Sequence, residues 1–128
     1  MSRIFLVEDD EYITRVYERA FRLGGHDITT MSDGVEAEKA LATIDPVPDA
    51  VVLDIMLPGM HGDTLLQNMK KNPKLASIPV AILTNSFHED EMKHAMEIGA
   101  NLFMVKIEYQ PREIVAKIEE LIRDRATK

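Results

Sequence analysis

The sequence has no cysteine and no tryptophan, only six glycines and six prolines in 128 residues, and no long hydrophobic run. Without cysteine there can be no disulfide framework, no thiolate zinc site and no cysteine nucleophile. The apolar run at the N-terminus, Ile4 to Val7, stops at Glu8, too soon for the core of a secretory signal. Nothing approaches the roughly 20 apolar residues that a membrane helix needs. Basic charge is also scarce: 15 Lys and Arg against 22 Asp and Glu leave a net charge of −7, which disfavours binding nucleic acid by phosphate neutralisation. No glycine-rich phosphate loop is present, so a nucleotide is not implied. The expectation is a cytoplasmic domain with neither a membrane nor a nucleic-acid partner.

What remains is enough for one domain. Hydrophobic residues make up 45% of the chain, and a domain of this length buries about two-thirds of the surface its unfolded form exposes. Short apolar runs alternate with helical-period segments, the pattern of βαβ units. The runs lie at 4–7, 28–31, 50–53, 80–83 and 102–105. Their continuous hydrophobicity predicts strands covered on both faces. Between them, Ile13, Val16, Tyr17, Ala20 and Phe21 recur at helical spacing and predict a helix over 11–23, closed by Gly24 and Gly25. Ala37, Ala40, Leu41 and Ile44 predict a second, stopped by Asp45-Pro46, and Leu65, Leu66 and Met69 a third, ending near Asn72-Pro73. Met92, Ala95 and Met96 mark a fourth, closed at Gly99 and opened by the acidic Glu89-Asp90-Glu91. Ile114, Ile118, Leu121 and Ile122 mark a fifth, with Pro111 in its first turn.

An open parallel sheet binds ligands outside the carboxyl ends of its strands. At those ends the sequence places Glu8, Asp9 and Asp10, then Asp54, then Thr84 and Asn85, then Lys106. Asp10 is best read as the cap of the first helix. Carboxylates about 4 Å apart repel by roughly 4 kcal/mol per pair at an effective dielectric near 20, a cost that a hard divalent cation such as Mg²⁺ relieves. Beside such an ion Asp54 could act as a nucleophile toward a phosphoryl group, with Lys106 and Thr84 as partners for its oxygens. The four histidines, at 26, 61, 88 and 94, show no ligand spacing and are expected at the surface. Met92 and Met96 fall at core spacing.

These residues sit in a run of motifs. Phe5-Leu6-Val7-Glu8-Asp9-Asp10 is followed by Val51-Val52-Leu53-Asp54-Ile55-Met56-Leu57-Pro58-Gly59-Met60 and Gly62. Ile82-Leu83-Thr84 comes next, and then Gly99-Ala100 leading to Phe103-Met104-Val105-Lys106. In this the chain resembles the receiver domain of two-component response regulators, over residues 3 to 125. The resemblance implies a doubly wound (βα)5 flavodoxin-like fold, α/β with strand order 2-1-3-4-5, filling 1–128 with no output domain. It implies that Asp54 accepts a phosphoryl group from the phosphohistidine of a sensor histidine kinase or phosphotransfer protein. Mg²⁺ would be held by Glu8, Asp9, Asp54 and the backbone carbonyl of Met56. Lys106 would pair with the phosphoryl oxygen and Asn85 help to cradle it, while Thr84 and Phe103 form the switch. A downstream protein would read the surface of the fourth helix, fifth strand and fifth helix, with the chain a monomer or a phosphorylation-dependent dimer.

The sequence departs from that family just after Lys106. Lys106 is followed by Ile107 where the family usually has proline, often in cis. A non-proline cis bond costs ~2.5–4 kcal/mol, so Lys106–Ile107 is expected to be trans, with an altered loop in which Glu108 could compete for Lys106. Met56 and Ser86, two past the aspartate and two past the threonine, occupy positions that in the family border the path of the hydrolytic water, and an apolar Met56 would there imply a long-lived phosphoaspartate. Two other readings are a receiver that is never phosphorylated, favoured only by Ile107, and an aspartyl-phosphate hydrolase. Hydrolases similar to haloacid dehalogenases place a second Asp two residues after the nucleophile, where this chain has Met56.

Overall fold

A computed structural model describes residues 2–126. Five strands alternate with five helices: β1 (Arg3–Val7), α1 (Glu11–Leu23), β2 (Asp27–Met31), α2 (Gly34–Thr43), β3 (Ala50–Asp54), α3 (Gly62–Lys71), β4 (Val80–Thr84), α4 (Glu89–Ile98), β5 (Leu102–Val105) and α5 (Pro111–Ala126). All neighbouring strands pair in parallel, in the order β2-β1-β3-β4-β5. This is the expected flavodoxin-like arrangement. Among the described residues no helix is long and apolar enough to cross a membrane.

The boundaries follow from local chemistry. Asp10 caps α1 by accepting from the Ile13 N–H at 3.0 Å, and Asp33 caps α2 by accepting from the Glu36 N–H at 2.7 Å, each satisfying a donor that the helix leaves free. The acidic run Glu89-Asp90-Glu91 occupies the first turn of α4, and Gly99, with φ 130°, ends it. Only glycine adopts that backbone without strain.

Side-chain alternation divides the core between the two faces of the sheet. Phe5, Val7, Val51, Leu53, Val80 and Ile82 pack with residues of α2, α3 and α4. Ile4, Leu6, Ala50, Val52, Ala81, Leu83 and Met104 pack with residues of α1 and α5. The central strands β3 and β4 are buried at every position, which explains their unbroken hydrophobicity.

Three expectations need correction. β2 is not covered on both faces: it is an edge strand with two exposed positions and none fully buried, so its threonines meet water. Met96 is 44% exposed, because the core stripe of α4 runs through Ala95 and Ile98 instead. His26 is not a surface histidine. Its side chain is nearly covered, with Nδ1 accepting from the Ser2 N–H at 3.1 Å and Nε2 2.7 Å from Glu119 Oε2, which ties the start of β2 to α5.

Candidate functional site

The carboxyl ends of β1, β3 and β5 meet at one point of the sheet. Asp54 closes β3 with the same orientation as Ala50 and Val52, and Glu8 and Lys106 continue the alternation of Leu6 and Met104, so all three side chains emerge toward α1 and α5. Glu8, Asp54 and Lys106 are all buried. Lys106 Nζ donates to Glu8 Oε2 at 2.5 Å and to Asp54 Oδ2 at 2.8 Å. The other oxygen of each acid is engaged by backbone: Glu8 Oε1 accepts from the Asp10 N–H and Asp54 Oδ1 from the Met56 N–H, both at 3.1 Å. Asp9 stands at the exposed mouth.

The electrostatics are those of a crowded anion site. Burial raises the Glu8 pKa, with Lys106 opposing that shift and Asp54 adding to it. For Lys106, burial pulls the pKa down, but the hydrogen bonds and charges of Asp54 and Glu8 outweigh it and the net shift is upward. One carboxylate oxygen each from Glu8, Asp9 and Asp54 lies within 4.8 Å of the other two. Three carboxylates against one ammonium leave two negative charges uncompensated, and an all-oxygen donor set of that charge fits a hard divalent cation.

The remaining candidates stand apart. Thr84 is buried, but it continues the alternation of Val80 and Ile82 on the sheet face opposite that of Asp54. Its hydroxyl donates to the Ser86 carbonyl at 3.2 Å. Asn85 is exposed. Phe103 is half-buried on the Thr84 face, where it meets Phe87 edge-on. The Met56 side chain is 60% exposed. Lys106–Ile107 is trans, and the loop takes a 3-10 turn over Lys106–Glu108. Glu108 does not compete for Lys106: it is exposed, while the ammonium turns inward to Glu8 and Asp54. Sequence reasoning passed over Phe87, although a lone aromatic in the polar run Asn85-Ser86-Phe87-His88 is itself a signal.

This geometry has counterparts. A family model described as "Response regulator receiver domain" matches residues 4–119. The chain belongs to that family. Among solved structures, the receiver resembles the phosphorylated cyanobacterial phytochrome response regulator RcpA, at 33% identity and TM-score 0.84, covering 93% of this chain and 91% of that one. It also resembles the Mn(2+)-bound form of response regulator Rcp1, at 29% identity and TM-score 0.82, covering 93% and 92%. A curated relative is the alkaline phosphatase synthesis transcriptional regulatory protein PhoP of Bacillus subtilis, 31% identical over 122 residues. The match takes in 95% of the receiver but 49% of PhoP, and the chain spans about half the length of the curated relatives it matches.

Proposed function

We propose that this receiver is an Mg²⁺-dependent phosphoacceptor switch in which Asp54 takes the phosphoryl group. The observation that carries the reading is the buried Asp54 carboxylate, held 2.8 Å from Lys106 Nζ beside Glu8 and Asp9. A carboxylate oxygen of Asp54 bonds to phosphorus as the phosphorus–nitrogen bond of a donor phosphohistidine breaks, and the imidazole keeps that electron pair. The donor is a sensor histidine kinase or a phosphotransfer protein. Lys106 holds the nucleophile in place and is positioned to neutralise an incoming phosphoryl oxygen. Glu8, Asp9, Asp54 and the Met56 carbonyl are the residues that would hold Mg²⁺, which would offset the negative charge that gathers during transfer.

Thr84 then turns its hydroxyl from the Ser86 carbonyl to the phosphoryl oxygen, Asn85 adds its amide, and Phe103 moves inward. The altered α4, β5 and α5 surface is read by a protein target. The test is to incubate wild type and Asp54→Asn with acetyl phosphate, with and without Mg²⁺, and to weigh the intact protein. One Mg²⁺-dependent phosphoryl adduct on the wild type alone is expected. An adduct that persists in Asp54→Asn, or that ignores Mg²⁺, would sink the reading.

A further inference from the structure

One short loop makes two contacts that join the site to the edge of the sheet. At its start the Thr84 hydroxyl donates to the Ser86 carbonyl at 3.2 Å, so this side chain ties down its own loop. One residue on, Phe87 is 54% exposed and sets its ring against Phe103, with centroids 6.3 Å apart and planes at 85°. All four residues from 85 to 88 are exposed. A large aromatic in such a loop is costly to hold in water unless it has a partner, and edge-to-face packing on Phe103 supplies one. Phe103 in turn leans on the α2, α3 and α4 side of the core. It pairs in register with Ile82, while Thr84 pairs with Val105, which makes Thr84 and Phe103 diagonal neighbours on one face of the sheet.

We infer that Phe87 is a latch on the switch: it holds Phe103 in its half-buried position in the unphosphorylated chain, and the Thr84–Ser86 hydrogen bond keeps the latch closed. This rests on the phosphoacceptor reading, because a phosphoryl group on Asp54 is what offers the Thr84 hydroxyl a charged and therefore stronger acceptor. When the hydroxyl leaves, the Ser86 carbonyl loses its donor, the loop carrying Phe87 is released, and Phe103 is free to move. Phe87 is thus a positioning residue that acts through Phe103 and touches neither the phosphoryl group nor the metal. Removing it raises the population of the released state. An aromatic pair of this geometry shifts such an equilibrium by about two- to twelvefold.

The full chain grown with para-fluorophenylalanine carries four fluorine reporters, at Phe5, Phe21, Phe87 and Phe103. Without any phosphodonor, Thr84→Ala is expected to shift the Phe87 and Phe103 resonances together and to leave Phe5 and Phe21 in place, while Thr84→Ser, which keeps the hydroxyl, holds all four at wild-type positions. Phe87→Ala is expected to speed phosphorylation by acetyl phosphate with Mg²⁺ about two- to twelvefold. Resonances at Phe87 and Phe103 that ignore Thr84→Ala, or a Phe87→Ala rate equal to wild type, overturn the latch. No adduct on the wild type would instead overturn the phosphoacceptor reading, and the latch's role with it, whatever the fluorine resonances show.

Discussion

Lys106 carries its ammonium between two buried carboxylates, and each of the three depends on the others. Removing one member of a buried ionic group strands the rest, at a cost of about 3–5 kcal/mol. We therefore expect Lys106→Met to lower the free energy of urea unfolding by roughly 3 kcal/mol at pH 7 in metal-free buffer. The deficit should shrink as the pH falls, because burial already raises the Glu8 pKa and a protonated Glu8 no longer needs the ammonium. In the wild type the folded pKa of Lys106 lies above its unfolded value. Its contribution is therefore complete below about pH 10.4 and is lost only as the pH rises through the folded value. A urea titration series across pH, wild type against variant, checks both limbs. Met56 is exposed beside the same cluster and offers a hydrolytic water no hydrogen bond. If a polar group there orients that water with one bond of about 1 kcal/mol, Met56→Asn should shorten the phosphoaspartate lifetime about fivefold. An unchanged decay by intact mass would remove Met56 from the account.

The elements explain why residues distant in sequence meet with such regularity. Strands of period two deliver Glu8, Asp54 and Lys106 to one face and Thr84 and Phe103 to the other. The loop after β3 packs closely on its own strand at Gly62: the Gly62 N–H donates to the Ile55 carbonyl at 2.8 Å, and a Cβ on Gly62 would lie 2.2 Å from the Asp54 carbonyl oxygen. Gly62→Ala must push the backbone of Asp54 itself. We expect a loss near the upper end of the ~1–3 kcal/mol range of overpacking, measured by urea unfolding, together with slower phosphorylation. Strand and helix positions were legible in the sequence because each segment keeps one period throughout, as Val51 to Leu53 and Ile114 to Ile122 do. The carboxylate cluster was legible because it lies where parallel strands end. Facing was less so: β2 reads apolar through Ile28 and Met31, yet as an edge strand it is half wet. His26 owes its burial to a partner 93 residues away, and Phe87 owes its place to β5. Neither contact has a local pattern.

For the whole molecule, the net charge of −7 has a local focus in three carboxylates within 4.8 Å of one another. Any ligand that binds the folded chain alone stabilises it by mass action, by about 2.7 kcal/mol at a hundredfold excess over Kd. Mg²⁺ or Mn²⁺ at that excess should raise the thermal midpoint of the wild type by several degrees. Asp9→Asn should lose most of the gain, and an equal rise in both proteins would place the ion elsewhere. The ion pairs at the site span sequence separations of 98 and 52 residues. A chain leaving the ribosome carries Glu8, Asp9 and Asp54 long before Lys106 emerges. Until the last strand joins the sheet, the acids repel one another with no ammonium to hold Asp54. Completion of the fold is thus also completion of the site: an incomplete chain carries Asp54 but not the ammonium that holds it.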